Sequence, residues 1–277
     1  MESRLFIYLY FFPFFLSLII NFFIMFLSKR KQIFLDKIDK NHGLYKSPIP
    51  RIGGIGIYLS FGIASIFLSK TAFYLWLSAL PVFLVGLLED LKGDIPPKLR
   101  LVIIAIGAIL GIVLLDAVII NISITELPLF LAIPFTIFAI VGITNAINMV
   151  DGFNGLASGI VLISLISMFI LSLKLKDFEL AMIIITLVSS ILGFFILNFP
   201  KAKIFLGDSG AYTLGFMVGI ISILLLKRHP EVSPWFPVVL LAYPITDVLF
   251  SIFRRVFIQK TSPFKPDKLH FHSLIYK

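Results

Sequence analysis

Asn145, Asn148 and Asp151 recur at every third residue in the stretch NAINMVDGFNG (145–155), at the end of an almost unbroken hydrocarbon run. On a persisting helix they share one face, and Gly152 and Gly155 then disfavour its continuation. A carboxylate in an otherwise apolar membrane helix costs about 2.5 to 3.5 kcal/mol near the bilayer centre, so the default reading is functional.

Four further polar clusters carry chemistry. LLEDLKGDIPPKLR sets Glu89, Asp90 and Asp94 among Lys92, Lys98 and Arg100; adjacent carboxylates repel, which suits handling of a cation or a proton, while a solvated turn at Pro96 and Pro97 is the bland alternative. FLGDSG places Gly207 and Asp208 at the start of an apolar run, where helix N–H groups and the dipole could hold a phosphate together with its metal. Capping of that helix by Asp208 or Ser209 is compatible with such a role. KSPIPRIGGIG offers Lys46 and Arg51 for phosphate or for simple interface anchoring, without Walker A spacing. In PFKPDKLHFH, His270 and His272 share a face only if the segment is extended, and suit contact with phosphate better than a metal. Asp247 either faces the site or pairs with a neighbouring helix. No G-x-S-x-G or H-E-x-x-H motif supports a serine hydrolase or a zincin.

The elements that must position these groups are membrane helices. Hydrophobic residues make up 59% of the 277, mean hydropathy is +1.04 and charged residues fall to 14%, more apolar surface than a soluble domain of this size could bury. The absence of cysteine excludes disulfides, thiolate metal sites and a cysteine nucleophile. Apolar runs mark nine candidate spans: Leu5 to Leu27, Ile52 to Ser69, Ala72 to Leu88, Leu101 to Ile120, Pro128 to Ile147, Leu156 to Leu173, Leu180 to Leu197, Ala211 to Leu226 and Trp235 to Phe253. The first is too long for a signal-peptide core and reads as a retained span. The expected fold is therefore all-α, a polytopic bundle of about nine transmembrane helices forming one domain over residues 1–277.

Eighteen of the 24 Lys and Arg residues fall in the loops of one side, which places the N-terminus outside and the C-terminus in the cytoplasm. Every unusual polar stretch then lies on the cytoplasmic side, implying one site built from five loops. The net charge of +9 is explained by topology and phosphate-bearing partners rather than nucleic acid.

NAINMVDGFNG, AKIFLGDSG and PFKPDKLHFH, in this order and at this spacing, resemble the polyprenyl-phosphate N-acetylhexosamine-1-phosphate transferase superfamily, also called glycosyltransferase family 4. The family includes WecA-like enzymes and the peptidoglycan translocase MraY, and the resemblance runs from about Lys46 to His272. It implies Mg²⁺-dependent transfer (Mn²⁺ being the alternative ion) of a sugar 1-phosphate from a UDP-sugar to polyprenyl phosphate, with release of UMP. The implied setting is the cytoplasmic face of the cell membrane, in envelope polysaccharide synthesis, with room for a homodimer. By the same resemblance Asp208 is the metal ligand and Asn148 a second contact, Phe205 stacks on uracil and Lys46 lies near the nucleotide. Asn148 and Asp151 line the nucleotide pocket, joined as substrate-binding candidates by Arg51, Asn145, Asn154 and Gly207. Glu89 and Asp90 fall on the paired carboxylates, as nucleophile, base or metal-phosphate organiser, and His270 and His272 are expected at the diphosphate.

Several positions depart from the family pattern. Glu89 stands for the commoner aspartate, Asn154 for the second aspartate of DGxDG, with a bearing on uracil recognition, and Ser273 for a further histidine. Relatives usually continue through another span, so a shortened member and a truncated sequence are both readings of the C-terminus. The expectation is a WecA-like phosphosugar transferase. The peptidoglycan translocase is the near rival, disfavoured by the histidine motif. A nucleotide-sugar or cation transporter should place its polar site near the midplane rather than on one face. An intramembrane aspartyl protease would need a partner for Asp208 at matching depth.

Overall fold

The structure, a computed structural model, describes residues 2–35 and 48–260, with side chains from residue 10 onward in the first helix. Lys46, His270 and His272, and with them His42, lie outside the described residues. In the order of the chain the helices are α1 (Glu2–Lys31), α2 (Gly54–Leu68), α3 (Lys70–Ser78), α4 (Leu80–Lys92), α5 (Pro97–Leu115) and α6 (Leu129–Val150). They continue with α7 (Leu156–Lys174), α8 (Phe178–Asn198), α9 (Gly207–Arg228), α10 (Trp235–Leu240) and α11 (Ala242–Phe253), and a π-helical turn, Arg254–Ile258, follows. No strand occurs among the described residues.

A helix satisfies its backbone groups internally, which is why apolar runs in lipid take this form. Hydroxyls inside the spans do the same locally: Thr144, Ser189 and Thr213 each donate to the carbonyl four residues back. Seven spans are long and apolar enough to cross a membrane, and the protein is a multi-span membrane bundle. The other two expected spans differ in form. α2 is a shorter apolar helix of 15 residues, and the last span breaks at Leu241 between α10 and α11. The third span also breaks, at Ala79, where Pro81 enters the first turn of α4.

α9 is the hub. Within its apolar window 94% of residues are buried, against 22% for α1 and for α5. α9 packs on α6, α4, α2 and α7, while α1 covers α8 and α2. Small residues let α1 approach: a Cβ on Gly193 would lie 2.3 Å from the Phe14 carbonyl oxygen.

Ion pairs tie the helices at one end of the bundle. Lys227 pairs with Asp116, and Arg228 lies 3.1 Å from both Asp177 and Glu179. His229, read as structural from the sequence, bridges Asp177 and Glu231 there. Asp177 also caps α8 by accepting the Leu180 N–H. Burial would raise the Asp177 carboxyl, but the Leu180 N–H, the His229 ring and the Arg228 guanidinium outweigh it and hold the group below the usual carboxylate range. A depressed carboxylate stabilises the fold above its unfolded pKa of about 4 and loses that contribution as pH falls through the folded value. Asp177→Ala is expected to cost about 1 kcal/mol through the lost cap. Melting curves in detergent at neutral pH check this, and the gap between wild type and variant should shrink on acidification below about pH 4.

Candidate active site

At the end of the bundle opposite that clamp, helix ends distant in sequence converge on the N-terminus of α9. The close approach depends on glycine. A Cβ on Gly54 would meet the Gly210 nitrogen at 2.2 Å, and one on Gly86 would meet the Asp208 carbonyl oxygen at 2.6 Å. Main-chain bonds stitch the approach to α2 onto the segment entering α9: Phe205 N–H donates to Pro50 O at 2.8 Å, and Gly53 and Gly54 N–H donate to Phe205 O and Leu206 O at 2.9 Å.

The cap of α9 comes from another helix. Leu206, at the N-cap position, provides no side-chain bond, and neither Asp208 nor Ser209 serves as the cap the sequence suggests. Asp90, at the end of α4, instead accepts from Asp208 N–H at 2.7 Å, Ser209 N–H at 2.9 Å and the Ser209 hydroxyl at 2.6 Å. Its side chain is 0% exposed, so in this conformation it orients the Asp208 loop and has no open face toward solvent.

Asp208 is thereby aimed at the ends of α2, α5 and α6. Its Oδ1 accepts from Asn148 Nδ2 at 2.9 Å and from Arg51 Nη2 at 3.0 Å, and its Oδ2 lies 3.8 Å from Arg100 Nη1. Arg51 Nε is also 3.7 Å from Asp90. Arg100 donates to the Tyr212 hydroxyl at 3.2 Å and stands 3.5 Å from Glu89 Oε1, while Glu89 Oε2 accepts the Ile95 N–H at 2.9 Å. Asp151, the residue closing α6, belongs to the same electrostatic cluster. Burial pushes its carboxyl up to about 7, the charge on Arg51 opposes that, and the charges on Asp208 and Asp90 add to it.

Other expected residues take different places. Asn145 turns its amide back to Val141 O, and no hydrogen bond joins it to the cluster. Asn154 donates to Pro200 O at 3.1 Å, which engages its amide with the α8–α9 connection. Gly207 adopts φ +75, and its role is conformational. Asp94 is exposed at the rim, and Asp247 is buried in α11, which packs on α6.

Two residues of this network escaped the sequence reading as site residues. Arg100 is interleaved with Glu89 and Asp90 in the sequence but carries no signal there that it reaches Asp208. Tyr212 follows Asp208 by four positions, hence on the same helical face.

The donor set fits a divalent cation. Glu89, Asp151 and Asp208 stand beside two guanidinium groups, Arg51 and Arg100, while the buried Asp90 is committed to the α9 cap. No three His, Cys, Asp or Glu side chains form a ready-made cage among the described residues; Mg²⁺ typically takes one or two carboxylates and completes its shell with water and substrate phosphate. A cavity of about 300 Å³ between α6, α9, α10 and α11 carries none of this chemistry, for it is lined by residues such as Ile140, Gly219, Trp235 and Leu241 and by no charged side chain.

A profile described as glycosyl transferase family 4 matches residues 72–226, more than half of the chain. The chain belongs to glycosyl transferase family 4. It is 35% identical over 248 residues to an undecaprenyl-phosphate alpha-N-acetylglucosaminyl 1-phosphate transferase of Thermotoga maritima, covering 88% of this chain and 73% of the relative. It is 31% identical over 255 residues to a probable undecaprenyl-phosphate N-acetylglucosaminyl 1-phosphate transferase of Bacillus subtilis, covering 88% and 71%. An undecaprenyl-phosphate alpha-N-acetylglucosaminyl 1-phosphate transferase of Escherichia coli K12 is 32% identical over 273 residues, covering 88% and 72%. The glycosyl transferase family 4 match runs from within α3 to within α9, and so includes Glu89, Asp90, Arg100, Asn148, Asp151 and Asp208.

Proposed function

We propose that this protein transfers N-acetylhexosamine 1-phosphate from a UDP-sugar to polyprenyl phosphate and releases UMP. The observation that carries the reading is Asp208, aimed by the Asp90 cap and held by Asn148 and Arg51 within a carboxylate-rich cluster at one end of a membrane bundle. In the reaction an oxygen of the lipid phosphate forms a bond to the β-phosphorus of the nucleotide sugar, and the bond from that phosphorus to the bridging oxygen breaks, leaving UMP. The difficulty is bringing two anions together. Asp208, with Asn148 beside it, would hold Mg²⁺, which offsets their repulsion and stabilises charge on the transferring phosphoryl group.

The chain's own groups do the rest. Arg51, with a side chain 46% exposed, and Arg100, beside Asp208, can present guanidinium donors to phosphate oxygens. Asp151, which opens the turn between α6 and α7, remains assigned to the nucleotide pocket by family resemblance. Glu89 holds the α4–α5 turn through the Ile95 N–H and keeps Arg100 in place. Lys46, His270 and His272 remain assigned to the nucleotide and the diphosphate by family resemblance. The excess of Lys and Arg on the same side as this cluster supports a cytoplasmic-face site in the cell membrane.

Membranes carrying the protein are expected to release UMP only when a UDP-N-acetylhexosamine, polyprenyl phosphate and Mg²⁺ are all supplied. Radiolabelled sugar accumulating inside sealed vesicles, with no lipid-linked product, would replace the transferase reading with a transporter. Screening several UDP-sugars in the same assay identifies the sugar.

A further inference from the structure

Two carboxamides from different elements join the turn between α6 and α7 to the connection between α8 and α9. Asn198, the last residue of α8, is 3% exposed. Its Oδ1 accepts the Gly155 N–H at 2.6 Å and its Nδ2 donates to Ile204 O at 2.9 Å. Asn154 adds the second tie, Nδ2 to Pro200 O at 3.1 Å. The residue after Ile204 is Phe205, whose own N–H and carbonyl are committed to Pro50 and Gly53. The turn tied by Asn198 begins at Asp151. The side chain of Asn198 thus sets the distance between Phe205 and the 151–155 turn.

We infer that Asn198 is a positioning residue for the nucleotide of the UDP-sugar, acting through Phe205 and the 151–155 turn, with Asn154 as a weaker second brace. The inference rests on the transferase reading above and deepens it. A carboxamide is required because one partner is a donor and the other an acceptor, and they lie on opposite sides of the same planar group. A carboxylate satisfies the Gly155 N–H but opposes the Ile204 carbonyl. A hydroxyl is too short to span both. The lipid phosphate, which carries no base, has no need of this register.

The test is steady-state kinetics of Asn198→Asp and Asn154→Ala with both substrates varied, alongside wild type and with UMP as inhibitor. Asn198→Asp should raise KM for the UDP-sugar about tenfold, as expected for a buried acceptor left without its donor. UMP inhibition should weaken in parallel, KM for polyprenyl phosphate should stay within about twofold, and kcat should change less than KM. Asn154→Ala, at a half-buried surface position, should move the same constants the same way by about threefold. It decides the matter if Asn198→Asp fails to insert. Unchanged UDP-sugar KM in the variants, an equal rise in the lipid KM, or a loss confined to kcat overturns the inference while wild-type turnover leaves the transferase reading standing. A wild type that releases no UMP removes both.

Discussion

Asp208→Asn should lower UMP release by about a thousandfold or more while the protein still inserts and is extracted as a folded bundle. The substitution keeps an oxygen able to accept from Asn148 and Arg51, the two side chains hydrogen-bonded to Asp208, so packing at the α9 N-terminus survives. What disappears is the negative charge at the point where α2, α4, α5 and α6 converge, and with it the affinity for a divalent ion that offsets substrate repulsion. Single-turnover UMP release, paired with size-exclusion profiles in detergent, separates lost chemistry from lost folding. Mn²⁺ binding followed by electron paramagnetic resonance should weaken in the same variant. Turnover close to wild type would remove Asp208 from the metal role.

Gly207→Ala should be nearly as damaging, by a different route. Gly207 sits at φ +75, where a side chain is strained, and an added Cβ would lie 2.4 Å from the Arg51 carbonyl oxygen and 2.6 Å from Asp90 Oδ2. The first obstacle is backbone and cannot rotate away, and the second is the buried cap that aims Asp208. Relief requires moving the start of α9, and a displacement of about 1 Å at a phosphoryl-transfer site can cost about a hundredfold in rate. The expected result is that loss in kcat together with a lowered melting temperature. An alanine variant with native activity would mean that the geometry around Asp90 is not what holds the site.

The positions of the spans were legible because hydrocarbon must be met by runs of apolar residues, and the runs from Leu101, Leu156 and Leu180 became α5, α7 and α8 with small shifts at their ends. The broken spans were less so, because a break such as that at Ala79 is set by packing as well as by Pro81. Residue chemistry flagged Glu89, Asp90, Asn148, Asp151 and Asp208. It could not divide their labour. Whether a carboxylate caps a helix, pairs with arginine or stands without a hydrogen bond depends on which N–H or guanidinium arrives from elsewhere in the chain.

Amino-acid order alone determined that this is a multi-span membrane bundle, since each span's hydrophobicity is a local property read within about 20 residues. Tertiary structure alone decided that Asp90 serves α9, that Arg100 reaches Asp208 and Tyr212, and that Asn198 ties Gly155 to Ile204. Those partners are far apart in sequence, and the close approach of α2 and α4 to the start of α9, permitted by Gly54 and Gly86, brings the Asp90 cap within reach of Asp208.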